Sequence, residues 1–190
     1  MRVGLLFGSF NPIHIGHLII AQSVLNNSDL EKIWFVVSPQ NPFKDSGSLL
    51  HEFDRIDMVR EAIGNHPDFH ASDIEFSLPK PSYTSHTLAY LSERFSSYDF
   101  KLIIGEDNLL SFDRWKNYEA ILNDYGVYVY PRPVEKNSEF KSNSNITVVD
   151  APVVDISSTL IRKYIKEGKS VQYLTPEPVY ELIKSRKYYT

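Results

Sequence analysis

Two histidines, His14 and His17, stand three residues apart just after an apolar run that opens the chain. Near the other end, Ser157-Ser158-Thr159 leads into Arg162. Imidazole N–H groups, hydroxyls and a guanidinium are all donors to anionic oxygens, and the arginine presents a planar fork matched to phosphate. The 190-residue chain has no cysteine, which removes disulfides, thiolate nucleophiles and cysteine-held zinc or iron–sulfur centres. Its net charge is −4, so nothing marks it for nucleic acid or a membrane surface. Any polyphosphate site must be local and made by a few placed basic groups.

Those residues need elements to hold them. Residues 2–7 are almost wholly apolar, as expected of a buried parallel strand. Gly8-Ser-Phe-Asn-Pro-Ile-His-Ile-Gly-His17 follows as a tight turn, with glycines where backbone must approach something closely. Residues 18–25 then read as a helix. A helix N-terminus offers unpaired N–H groups and positive dipole character, and His14 and His17 sit at that entrance. The same device recurs late in the chain: Ser157 or Ser158 caps a helix starting near Ile156, with Arg162 about one turn further on.

Between these two sites the pattern alternates strand and helix. Residues 32–38 form a second strand, with Trp34 in the core, and complete a βαβ unit. The loop at 39–48 leaves the carboxyl end of that strand and carries Lys44, which either faces a ligand or is solvated. Residues 52–63 are helical, through Phe53, Ile56, Val59 and Ile63, and Gly64-Asn65 ends them, with Arg55 and Met58 serving packing and orientation. Residues 69–76 alternate weakly and read as a strand. Thr84 or Ser85 caps the next helix, whose inner face is Leu88, Leu91 and Phe95. Residues 99–104 are a third clear strand, closing on Gly105; Asp107 beyond it is a ligand group, a helix cap, or both. A strand at 125–130 runs into Pro131-Arg132-Pro133, 135–145 reads as a flexible polar loop, and 146–149 as a short strand. Thr175-Pro176 caps the last helix with proline in its first turn, and the Tyr188-Tyr189 tail has no assignment.

The length suits one domain. The alternation predicts an α/β fold, a doubly wound parallel sheet with helices on both faces, with His14, Lys44, Asp107 and Ser157 gathered at its carboxyl edge. The opening apolar run is too short and too early for a signal peptide, no run reaches the length of a membrane span, and the lack of cysteine agrees with a cytoplasmic location.

The string from Gly8 to His17 resembles the HxGH signature of the nucleotidyltransferase superfamily in its adenylyltransferase form. Gly8, Pro12, His14, Gly16 and His17 match in place, and Asn11 stands where an acidic residue is usual. Ile156-Ser-Ser-Thr-Leu-Ile-Arg162 resembles the second superfamily signature without departure. Ser82-Tyr83-Thr84 looks like the pyridine-binding turn of nicotinate mononucleotide adenylyltransferases. Gly105-Glu106-Asp107 resembles their Gly-(Ala/Ser)-Asp step, with Glu106 in the middle position, and Phe112-Asp-Arg-Trp115 their Phe-x-x-Trp, whose tryptophan stacks on the pyridine ring. The likeness runs over almost the whole chain.

The resemblance implies a Rossmann-like nucleotidyltransferase domain over residues 1–190, with the C-terminal helices at 157–190 completing an ATP site. It implies transfer of the adenylyl group of ATP to nicotinate mononucleotide, giving nicotinate adenine dinucleotide and pyrophosphate. On this reading His14, His17, Lys44 and Arg162 are catalytic. Gly8, Ser9, Phe10, Gly16, Gly105, Asp107, Ile156, Ser157, Ser158 and Thr159 join His14, His17 and Arg162 around ATP. Asn11, Lys44, Ser82, Tyr83, Thr84, Trp115 and Arg132 hold the mononucleotide. Mg²⁺ is expected to ride on the triphosphate, since no cluster of carboxylates is evident to cage it, so no metal ligand is assigned. The expected partners are ATP and nicotinate mononucleotide, with no nucleic acid and no membrane, and a homo-oligomer is left open. The alternatives are a superfamily member using nicotinamide mononucleotide or phosphopantetheine, and a nucleotide-binding module without catalysis. A phosphopantetheine enzyme would leave Ser82-Tyr83-Thr84 and Trp115 unexplained.

Overall fold

Strands that pair in parallel must be covered on both faces, and the apolar runs of this chain are placed accordingly. The computed structural model describes residues 1–40, 49–134 and 138–190. Its strands are β1 (Arg2–Gly8), β2 (Lys32–Val37), β3 (Phe69–Ser72), β4 (Asp99–Gly105), β5 (Val127–Tyr130) and β6 (Ile146–Val148). All pair in parallel in one sheet of order β3-β2-β1-β4-β5-β6. The helices are α1 (Ile15–Asn26), α2 (Glu52–Ile63), α3 (Thr84–Arg94), α4 (Glu106–Leu109), α5 (Tyr118–Ala120), α6 (Ser158–Lys166) and α7 (Glu177–Ser185).

Alternate side chains of each central strand enter two separate cores. Leu6, Ile33, Phe35, Val37 and Ile103 pack with Ile20 and Val24 of α1, Ile56 and Val59 of α2, and Val179 and Ile183 of α7. Val3, Leu5, Trp34, Val36, Leu102 and Ile104 pack on the other face with Leu88 and Leu91 of α3 and with Leu109 and Phe112. This is the expected α/β doubly wound sheet with helices on both faces. Because the chain winds outward from β1 to β3 and then resumes at β4, the strand order reverses between β1 and β4. A crevice is expected above the carboxyl ends of those two strands.

Several boundaries differ from the sequence reading. α1 begins at Ile15 rather than residue 18, which puts His17 inside its first turn. β3 stops at Ser72, and residues 74–76 form part of a 3₁₀ turn, Ile74–Ser77, that buries Glu75. β2 ends one residue early, at Val37, and β6 at Val148. β5 begins at Val127 because Gly126, at φ 74°, makes the turn out of a π-helical segment that includes Tyr125. Within the polar stretch after Pro133, residues 139–142 form a 3₁₀ turn rather than a flexible loop, anchored by Phe140 edge-on to Phe112 and Tyr118. Tyr83, not Thr84 or Ser85, occupies the N-cap of α3, with no side-chain cap. Gly105, not Asp107, caps α4. Pro176 is the N-cap of α7, and the proline of its first turn is Pro178. Among the described residues no helix is long and apolar enough to cross a membrane.

Candidate active site

A cavity of about 770 Å³ lies where the strand order reverses, lined by Gly8 from the end of β1, Gly105 from β4 and Tyr130 from β5. The loop between β1 and α1 forms one wall. His14 caps α1, its backbone N–H donates to His17 Nδ1 at 3.2 Å, and the His17 N–H donates back to the His14 carbonyl at 3.0 Å. The two rings stack with centroids 3.7 Å apart. Since His17 Nδ1 accepts, the neutral ring carries its proton on Nε2, which makes that nitrogen a donor. Phe10, at φ 43°, holds a backbone conformation unfavourable to a side chain; its buried ring lies edge-on to His17 at 5.1 Å and against Phe35, so packing fixes the bend. A Cβ on Gly16 would come within 3.0 Å of His14 Nδ1, so glycine there lets the helix start pass under the imidazole.

His14 is 5% exposed, and among the described residues its Nδ1 has no hydrogen-bond partner. Burial, and to a lesser degree the nearby Arg132 guanidinium, brings its pKa down to about 4. The ring is therefore neutral at pH 7. It serves an anion as a dipolar donor and does not bring a charge of its own.

The N-terminus of α6 also lines the cavity, beside that loop. Ser157 is the N-cap, its Oγ accepting from the Leu160 N–H at 3.2 Å. Ser158 Oγ donates to the Pro12 carbonyl at 2.8 Å, so this hydroxyl ties α6 to the histidine loop. Arg162 makes the same link from one turn on: Nη1 donates to the Asn11 carbonyl at 2.8 Å and Nη2 to Thr159 Oγ1 at 3.3 Å. The two signatures, about 146 residues apart in sequence, are thus joined directly. Behind them Arg55 is 1% exposed and binds four backbone carbonyls: Ser9 at 2.6 Å, Ser38 at 2.8 Å, Leu50 at 2.9 Å and Pro39 at 3.1 Å. It clamps the ends of β1 and β2 together, as its expected packing role implies.

Ser82, Tyr83, Thr84 and Trp115 line the same cavity. Lys116 sits with its ammonium 4.6 Å above the Tyr83 ring, joining the two segments. Arg114 and Lys116 also line the cavity, so two cations join Trp115 there. Below the turn is Glu75, 1% exposed, accepting from Thr87 Oγ1 at 2.7 Å. Burial pushes its carboxyl above the usual range, opposed by the Thr87 hydroxyl that donates to it.

Asp107 is exposed on the cavity wall, 3.9 Å from the Arg132 guanidinium, whose Nη1 also donates to the Val154 carbonyl at 3.0 Å. A side chain on Gly105 would collide with the Asp107 carboxylate and lie 3.0 Å from Arg132, which keeps the strand end bare. Among the described residues no group of three or more His, Asp or Glu is placed to hold a metal ion. The cavity also takes in Ser9, Ile156 and the remaining predicted residues; Lys44 lies outside the described residues. Sequence reasoning missed Glu75, Lys116 and Tyr130. Glu75 sat in a weak strand pattern, and Lys116 beside the tryptophan gave no periodic signal. Its only trace was adjacency to a candidate residue.

Residues 5–164 match the family model described as cytidylyltransferase-like. A Cytophaga hutchinsonii protein named as a probable nicotinate-nucleotide adenylyltransferase is 58% identical over all of this chain and 99% of its own length. A Flavobacterium psychrophilum protein of the same name is 49% identical over 100% of this chain and 99% of its own. Among solved structures, a Plasmodium falciparum nicotinic acid mononucleotide adenylyltransferase complexed with NaAD superposes with a TM-score of 0.83 at 20% identity, covering 99% of this chain and 97% of that one. That likeness carries the fold, and the sequence matches carry the kinship: the chain belongs to the nicotinate-nucleotide adenylyltransferases of the cytidylyltransferase-like family.

Proposed function

We propose that this chain joins nicotinate mononucleotide to the adenylyl group of ATP, releasing pyrophosphate and forming nicotinate adenine dinucleotide. The observation that carries the reading is one cavity lined by both nucleotidyltransferase signatures and also by Ser82-Tyr83-Thr84 and Trp115.

The nucleophile is a phosphate monoester whose second pKa is about 6. It is anionic at neutral pH, so an oxygen of that phosphate attacks the α-phosphorus without a general base. The bond from the α-phosphorus to the bridging oxygen breaks, and pyrophosphate leaves with the electron pair. The protein's work is then positioning and charge stabilisation. His17, with its proton held on Nε2, donates to the α-phosphate, and neutral His14 supports it. The N-terminus of α6 with Ser157, Thr159 and Arg162 receives the β- and γ-phosphates. Ser158 acts mainly by holding α6 to Pro12. Lys44 screens charge between the substrates. The substrate is MgATP; the Mg²⁺ arrives on the triphosphate, and Asp107 can orient its water shell. Trp115 stacks on the pyridine ring, and the N–H groups that open α3 read the nicotinate carboxylate, a charge that Arg114 and Lys116 favour. The same reading places the enzyme in the cytoplasm, working on small molecules.

ATP labelled at the α-phosphate tests the proposal. With nicotinate mononucleotide the label should move into a dinucleotide product. Label that stays in ATP, or passes to AMP by hydrolysis alone, would overturn it.

A further inference from the structure

The chain ends in Tyr188-Tyr189-Thr190, a tail that the reaction above does not use. It is built into the site nonetheless. Tyr189 Oη donates to Asn11 Oδ1 at 2.9 Å across 178 residues of sequence. That same Oδ1 accepts the Leu50 N–H at 3.2 Å. The Asn11 carbonyl accepts Arg162 Nη1 at 2.8 Å. Asn11 is therefore a junction of four segments: the histidine loop, the start of α2, the α6 arginine and the C-terminal tail.

The tail holds an unfavourable shape to get there. Lys187 and Tyr189 take φ of 52° and 65°, the left-handed region that suits glycine. Tyr188 anchors it, donating to Asp54 Oδ1 of α2 at 2.6 Å, with Arg186 on the same carboxylate at 3.3 Å. Tyr189 then reaches past this anchor, and its phenol lies within the field of both Arg162 and Arg55. Burial keeps that phenol protonated, and so a donor, across the working pH range. A residue held in a sparsely populated conformation, with its one polar atom on the junction of the phosphate site, points to a role there.

We propose that Tyr189 is a positioning residue for the phosphate site, holding the Asn11 side chain so that the histidine loop and Arg162 keep their mutual geometry. The hydroxyl touches no reacting atom. It acts through Asn11, whose carbonyl fixes the arginine that meets the polyphosphate. Small displacements of such groups are costly in rate, because the reacting atoms must be held in line.

The proposal rests on the adenylyl-transfer reading for its kinetic arm only, since binding of a non-hydrolysable ATP analogue is measured beside turnover. Tyr189→Phe removes the hydroxyl and keeps the ring. It should lower kcat/KM for ATP about tenfold and weaken analogue binding about fivefold, while Tm falls no further than in Tyr188→Phe. Tyr188→Phe, which loses the anchor on Asp54 but no contact with the loop, should change both functional readouts less than twofold. In an Asn11→Ala background, Tyr189→Phe should add less than twofold, because its partner is already gone. Wild-type turnover and analogue binding in Tyr189→Phe would overturn the proposal. So would an equal functional loss in Tyr188→Phe, or full additivity with Asn11→Ala. A wild type that binds the analogue but transfers no adenylyl group would defeat the reaction and leave the positioning role to the binding arm.

Discussion

Protonating His14 should destabilise the fold over a defined pH window. Its imidazole titrates at about 4 in the folded protein against 6.5 for an ordinary histidine, with burial as the main cause and Arg132 the lesser one. Between those values the unfolded chain binds a proton at this position and the folded chain does not, so stability rises with pH there and is lost as pH falls from 6.5 towards 4. At 1.36 kcal/mol per pKa unit, the cost reached by pH 4 is about 3 kcal/mol. The side chain is 5% exposed, so little solvent screening reduces it. The assay is urea unfolding at pH 4 to 7.5 for the wild type and His14→Asn. The difference in stability between them should shift by about 3 kcal/mol across the window, the wild type losing more on acidification. Glu75 contributes with the opposite sign, since its carboxyl is raised by burial and its share of stability is lost as pH rises, but it is common to both proteins and drops out. Parallel pH profiles would refute the reasoning, as would an NMR titration placing His14 near 6.5.

Other substitutions separate positioning, affinity and specificity. His17→Ala should lower kcat about a hundredfold or more with a smaller change in KM, because its donor strengthens mainly in the transition state; steady-state kinetics on the folded variant checks this. Thr84→Pro should keep the fold, since Thr84 is the first residue of α3 and Tyr83 before it is already extended, yet remove one N–H. Its kcat/KM for nicotinate mononucleotide should fall about tenfold to a hundredfold, with a smaller loss for the nicotinamide form. Trp115→Ala should weaken both mononucleotides alike, as stacking does not distinguish acid from amide. Arg55→Met should cost about 3–5 kcal/mol in chemical denaturation, because three buried carbonyls and one half-buried carbonyl lose their donor at once.

The alternating apolar runs and the two signatures carried most of the architecture in one dimension. A parallel strand buried on both faces is nearly all apolar, which is why β1, β2 and β4 were legible almost to the residue. Short edge strands were less so: β3 carries only one buried residue, and tertiary packing of Glu75 turned the end of its pattern into a 3₁₀ turn. The site was legible wherever a loop concentrated chemistry, as at His14 to His17. Partnerships made by the fold alone were not. Nothing in the sequence says that Ser158 donates a hydrogen bond to the Pro12 carbonyl, that Lys116 covers Tyr83, or that Tyr189 returns to Asn11. Those contacts depend on how distant elements meet, which local propensity does not encode.

The acceptor that takes the adenylyl group defines the enzyme. Pyrophosphate release from ATP should therefore be measured side by side with nicotinate mononucleotide, nicotinamide mononucleotide and phosphopantetheine. Fast release with the nicotinate form, a kcat/KM at least about tenfold lower with the amide and none with phosphopantetheine is the predicted result. Release with phosphopantetheine and none with either mononucleotide would contradict it.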